Sequence, residues 1–271
     1  MQLQDDGKAA FDDIYAQPDP RAYFGTLRKL DYRIPHLAKP HFEALIGQLR
    51  EGAATVSVLD IGCSYGVNAA LLRCDAGMDE LYDRYCGVDA STQTRESLLA
   101  RDRELVRSRA HGGPVRFVGL DISGIALSYA VDAGFLDDAV CADLEVGDPT
   151  AEQAEGLAGA DLVTSTGCIG YVTEQTIGRV VRAQNGRRPW MAHFVLRMYP
   201  FDAVAECLRG FGYETVRVDR AFKQRRFVSP QEQSQVLDTL SEIGVDPRGL
   251  EVDGWLYAQL FVSRPRSVQR G

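Results

Sequence analysis

The sequence predicts an α/β protein: a parallel sheet of about seven strands with helices on both faces, preceded by a helical N-terminal extension. Three observations predict it. The run "TVSVLDIG" (55–62) is β-branched and apolar and ends in glycine, as a buried parallel strand does. Strand-like runs then alternate with helical periods to the end of the chain. The first 50 residues contain no strand-like run.

Each element has its own signal. Residues 1–50 read as short helices rich in aromatics (Phe11, Tyr15, Tyr23, Phe24, Tyr32, Phe42), and Pro18, Pro20, Pro35 and Pro40 are expected to cut them. Strand 55–62 leads into a short helix, "VNAALLRC" (67–74). "VRFVGLDIS" (115–123) is the second strand, and the helix 124–135 ends near Gly134. Short strand 138–145 and strand 160–172 follow. Thr173, with Glu174 and Gln175 behind it, can start a helix to about Ala183. Pro200 stops the strand 190–200, and 202–212 is helical. Strands 213–220 and 255–264 close the chain, with a helix near 231–243 between them. Two stretches, 75–114 and 221–253, exceed what simple crossovers need and read as insertions.

Bulk properties narrow the function. A chain of 271 residues suits one large domain, here divided as an extension (1–50) and an α/β unit (51–271). A net charge of −8 argues against a general nucleic-acid binder. The basic runs "KQRRF" (223–227) and "RPRSVQR" (264–270) read as solvated surface. The start carries no secretory signal pattern, and no apolar run reaches the roughly 18 residues of a membrane span. Six cysteines without C-x-x-C spacing support neither a metal nor a redox motif, and free thiols in a cytoplasmic setting are expected.

"LDIGCSYG" (59–66) is the most informative stretch. Gly62-Cys63-Ser64-Tyr65-Gly66 has the form G-x-S-x-G, the nucleophile elbow of serine hydrolases. An elbow serine needs an acid and then a histidine later in the chain, yet 194–271 hold no histidine. "HGGP" (111–114), which has the look of an oxyanion-hole motif, follows the serine where it should precede it. A dinucleotide loop needs G-x-G-x-x-G, and two of the three glycines are replaced, by Ser64 and Val67. The third reading uses Asp60, an acid at the carboxyl end of a strand where α/β ligands bind, followed by small residues that let a nucleoside come close.

On these residues the chain resembles the class I S-adenosylmethionine-dependent methyltransferases, whose first motif "VLDIGCSYG" matches except for Ser64 at the middle glycine. The resemblance covers about 55–263 and implies a Rossmann-like sheet with a reversed last strand. It implies S-adenosyl-L-methionine as cofactor, held by Asp60, Gly62, Ser64 and Gly66. Asp121 would take the ribose hydroxyls, with Asp89 in "GVDAS" as the alternative. Ile122 would pack on the base, and Asp143 and Leu144 would meet the adenine edge. Thr166, in "TSTGC", would lie under the sulfonium. Tyr171 and His193 are the candidate catalytic side chains, and Tyr23 and Tyr32 the candidate lid over the site. The expected activity is in-line methyl transfer to a small molecule, such as a specialised metabolite. The alternatives are cyclisation or aminocarboxypropyl transfer, and a non-catalytic cofactor-binding protein. Expected partners are a small-molecule substrate and, in a homodimer, a second copy; nucleic acid, membranes and metal are not expected.

Overall fold

The computed structural model describes residues 12–109 and 114–266. Phe11, residues 111–113 of the "HGGP" motif with His111, and the end of the second basic run lie outside the described residues. Seven strands form one sheet: β1 (Val56–Ile61), β2 (Val115–Asp121), β3 (Asp138–Cys141), β4 (Leu162–Thr166), β5 (Trp190–Leu196), β6 (Tyr213–Arg226) and β7 (Trp255–Pro265). Their order is β3-β2-β1-β4-β5-β7-β6. All neighbouring pairs are parallel except those of β7, which runs against both β5 and β6. This is the expected Rossmann-like sheet with a reversed last strand.

The helices are α1 (Asp12–Tyr15), α2 (Arg21–Arg28), α3 (Ile34–Arg50), α4 (Val67–Arg73), α5 (Met78–Cys86), α6 (Arg95–Arg109), α7 (Gly124–Asp132), α8 (Ala151–Leu157), α9 (Glu174–Ala183), α10 (Asp202–Gly210) and α11 (Pro230–Glu242). Strand alternation splits the core in two. Val56, Val58, Leu162, Ala192 and Phe194 face α3, α4 and α7. Leu59, Ile61, Val163, Met191 and Val195 face α8, α9 and α10. The first insertion folds as α5 and α6 and joins the former cluster through Leu81, Tyr85, Leu98 and Leu105.

Four expectations need correction. Pro40 does not cut α3, because it sits on the exposed side while Ile34, Ala38, Phe42, Leu45 and Ile46 hold the other face against the sheet. Strand β6 runs six residues past the expected 220, pairing with β7 as far as Arg226↔Trp255. The run 223–227 is therefore only half a surface: Gln224 and Arg225 are buried, and Arg225 is paired with Glu232. Helix α8 was not expected, although Thr150 and Gln153 form a full capping box at its start.

The long β6 is tied to the extension. Arg33 N–H donates to the Gln224 carbonyl at 2.8 Å, and Arg226 N–H to the Leu30 carbonyl at 2.7 Å. The guanidinium of Arg226 reaches Asp31, and Arg33, Lys223 and Arg226 all lie over the Trp255 ring.

Candidate functional site

The strand order reverses between β1 and β4, and a ligand crevice opens at the carboxyl edge of such a switch point. The loop from β1 into α4 forms its floor. Gly62, Ser64 and Gly66 all adopt positive φ, at 66°, 51° and 72°. Glycine is required at 62, where a Cβ would stand 2.8 Å from the Cys168 Cβ. Ser64 holds a left-handed conformation that costs a side chain about 1–2 kcal/mol.

Asp121 secures this loop from the neighbouring strand end. Its Oδ2 accepts the Ser64 N–H at 2.8 Å and its Oδ1 accepts the Ser123 N–H at 2.9 Å. A carboxylate offers about four acceptor positions, so two stay available for further donors. Asp121 is half-exposed, Ile122 beside it is 72% exposed, and Asp143 past β3 is exposed with Leu144 buried beneath it. Asp89, the alternative acid, sits in an exposed 3-10 turn (Val88–Thr92), not at a strand end.

The other end of the crevice is buried. Asp60 is enclosed and accepts Asn68 Nδ2 on both oxygens at 3.1 Å and Thr164 Oγ1 at 2.9 Å. Burial pushes its carboxyl up to about 7, against the pull of those hydrogen bonds. Asn68 also donates to Thr166 Oγ1 at 3.1 Å, and the Tyr32 hydroxyl lies close to Tyr23 and Thr166, its ring edge-on to that of Tyr23. Asp60, Thr166, Tyr23 and Tyr32 are thus one connected group.

The extension covers this end. Tyr65 Oη donates to the Ile14 and Gln17 carbonyls at 3.1 and 2.8 Å, and Ser123 Oγ to the Tyr15 carbonyl at 2.6 Å. The Tyr23 ring meets those of Tyr15, Tyr32 and Tyr65 edge-on at 5.7, 6.5 and 5.8 Å. Beneath this cover, Ser64 Oγ, Asn68 Oδ1 and Gln224 Oε1 are buried without a protein partner. Each such atom costs the fold about 1–3 kcal/mol.

The candidate catalytic residues are not brought to this group. By strand alternation His193 and Ser165 lie on the opposite face of the sheet from Asp60, Thr164 and Thr166. His193 is buried there, its Nδ1 is 2.8 Å from Ser165 Oγ, its ring is 5.9 Å from that of Phe201, and burial lowers its pKa to about 4. It is a neutral core histidine, which corrects the expectation that it acts at the crevice. Tyr171 stands at the rim, 41% exposed, in the turn after β4.

Sequence reasoning missed Asn68, Tyr65 and Gln224, whereas Thr164 belongs to the "TSTGC" (164–168) expected beneath the sulfonium. Asn68 was discoverable as the one polar side chain inside the apolar run "VNAALL". Gln224 carried no such signal. Among the described residues no group of three or more His, Cys, Asp or Glu side chains is arranged to hold a metal, no helix is long and apolar enough to cross a membrane, and no disulfide joins the six cysteines. Two surface cavities, of about 420 and 130 Å³, lie at the opposite edge of the sheet around Arg182, Arg187 and Trp190, away from the strand-end acids.

No protein-family model and no curated protein matches this chain. Solved structures are similar at low identity, and many of them are S-adenosylmethionine-dependent methyltransferases. The [4+2]-cyclase SpnF is 14% identical, with 83% of this chain and 80% of that one covered and a TM-score of 0.42. A TehB-like SAM-dependent methyltransferase from Corynebacterium glutamicum is 15% identical, with coverage of 82% and 86% and a TM-score of 0.40. Magnesium protoporphyrin IX methyltransferase (ChlM) from Synechocystis PCC 6803, solved with bound SAM, is 12% identical, with coverage of 84% and 79% and a TM-score of 0.42.

Proposed function

We infer that the protein is an S-adenosyl-L-methionine-dependent methyltransferase acting on a small-molecule acceptor by in-line transfer. One observation carries this reading: the positive-φ loop Gly62–Gly66 at the switch point, held by the strand-end carboxylate of Asp121. The residues fit the cofactor. The two unfilled acceptor positions of Asp121 suit the two ribose hydroxyls. Exposed Ile122 offers an apolar face to a base, and Asp143 and Leu144 stand where its edge would be read. At the covered end, the unpartnered Ser64 oxygen suits a polar group of the amino-acid portion, and tyrosine faces attract a sulfonium.

S-adenosylmethionine supplies an already activated methyl group when bound. The chain's own work is to orient the acceptor and exclude water, and such orientation supplies roughly 7–11 kcal/mol. Tyr23 and Tyr32 form the inner wall, α1 and α2 form a lid that must open for entry, and Tyr171 meets the acceptor at the rim. No dedicated base is required, consistent with His193 lying on the far face. The acidic balance of the chain favours a small molecule over nucleic acid. A cytoplasmic location, a specialised-metabolite acceptor and a homodimer belong to the same reading.

The closeness of Tyr32 to Thr166, with Tyr23 packed against Tyr32, favours one second reading, a reaction without an external acceptor: cyclisation or aminocarboxypropyl transfer that releases methylthioadenosine. Incubation with S-adenosylmethionine and a panel of small nucleophiles, read by mass spectrometry, tests both. S-adenosylhomocysteine supports methyl transfer, and methylthioadenosine supports the second reading. No binding of the cofactor by calorimetry overturns both; binding without turnover leaves a non-catalytic binding protein.

A further inference from the structure

We propose that Gln224 and Asn68 form the acceptor subsite of this crevice, selecting a small molecule that presents N–H or O–H donors and rejecting anionic groups. The proposal deepens the methyltransferase reading and rests on it. Pairing between β6 and β7 steps from Lys223↔Tyr257 to Arg225↔Leu256, so Gln224 is the unpaired residue of a bulge. A bulge re-aims a side chain out of the strand's alternation. The Gln224 amide is buried and lies against Gly167, where a Cβ would be 2.4 Å from its Nε2. Its backbone is pinned by the Arg33 N–H. The amide therefore stands beside the end of β4, one residue from Thr166.

From the other side, Asn68 gives its Nδ2 to Asp60 and to Thr166, which fixes the amide so that Oδ1 points away from them. Both side chains are more than nine-tenths buried, and Asn68 Oδ1 and Gln224 Oε1 have no protein partner. The subsite thus presents acceptor oxygens. An amine or hydroxyl satisfies them, whereas a carboxylate or phosphate would bring further lone pairs against them.

The test uses the full chain with S-adenosylhomocysteine and three matched probes: benzylamine, phenol and toluene. Crystals of the complex soaked with each are expected to seat benzylamine or phenol within hydrogen-bond distance of Gln224 Oε1 and Asn68 Oδ1, and to leave toluene unbound. The two polar probes separate a nitrogen from an oxygen acceptor. In ligand-observed NMR, Gln224→Leu should weaken the seated probe at least tenfold while S-adenosylhomocysteine affinity changes less than twofold. Toluene seating as well as the polar probes, or neither polar probe seating, overturns the proposal, and these soaks decide whether or not Q224L folds. Equal loss of probe and S-adenosylhomocysteine in Q224L also overturns it, assigning Gln224 to the cofactor. If the wild-type protein fails to bind S-adenosylhomocysteine, the cofactor reading fails by itself, and soaks without it still decide the subsite.

Discussion

Asp60 and Asp121 end adjacent strands, yet their surroundings give them different work. Asp121 is half-exposed and holds two backbone N–H groups with capacity for two more donors. Asp121→Ala should weaken S-adenosylmethionine binding by an order of magnitude or more in calorimetry, since charged hydrogen bonds are worth about 1.5–3 kcal/mol each. Unchanged affinity would remove Asp121 from the ribose. Asp60 is enclosed, and its carboxyl is raised from 3.8 to about 7 by burial. An acid whose folded pKa is raised holds its proton more tightly in the native state, so its contribution to stability is full below pH 4 and is lost as pH rises through about 7. Denaturant unfolding should show the wild type losing stability between about pH 4 and pH 7 relative to Asp60→Asn; parallel curves would contradict the burial argument. Both acids were legible because each closes an apolar strand run. Although "GVDAS" and "GLDIS" look alike, Asp121 is preferred to Asp89 because it ends an apolar run ahead of a helix, and the two stand at a strand end and in a 3-10 turn. His193 was misplaced because a strand's two faces cannot be told apart when both are buried.

At the scale of elements, the strands were readable because β-branched apolar runs bounded by glycine and proline leave few alternatives. The end of β6 was not readable. Its residues 221–226 are mostly polar, and it stays extended through partners remote in sequence: β7 on one side and the Arg33 and Leu30 backbone at its tip. The lid depends on few contacts. Tyr65 Oη holds the end of α1 and the stretch after it by sharing its one proton between two carbonyls, an interaction worth about 1 kcal/mol net. Tyr65→Phe should therefore raise tryptic cleavage after Arg21 roughly fivefold at about 1 kcal/mol lost, and S-adenosylmethionine should change that rate. Cleavage unaffected by either would show that α1 and α2 do not open as a lid.

For the whole molecule, the sheet order follows from the alternation read in the sequence, but the boundary drawn at residue 50 does not match the core. Helix α3 buries Ile34, Phe42, Leu45 and Ile46 against the sheet, and Phe42 packs edge-on against Phe194 at 5.6 Å. Burying four such side chains contributes roughly 6–12 kcal/mol, comparable to the total stability of a domain. A chain beginning at residue 51 should show no cooperative unfolding in calorimetry; a sharp transition would make α3 dispensable.

The latch between Asp31 and Arg226 joins residues 195 positions apart. On the ribosome the first helices emerge while their partners are still unmade. Helix α3 meets β6 only after that strand has left the exit tunnel, and contacts this distant in sequence form slowly. The junction of residues 30–33 with β6 therefore closes only at the end of synthesis, and a chain stalled before residue 226 would carry the strand-end acids and their aromatic cover without that latch.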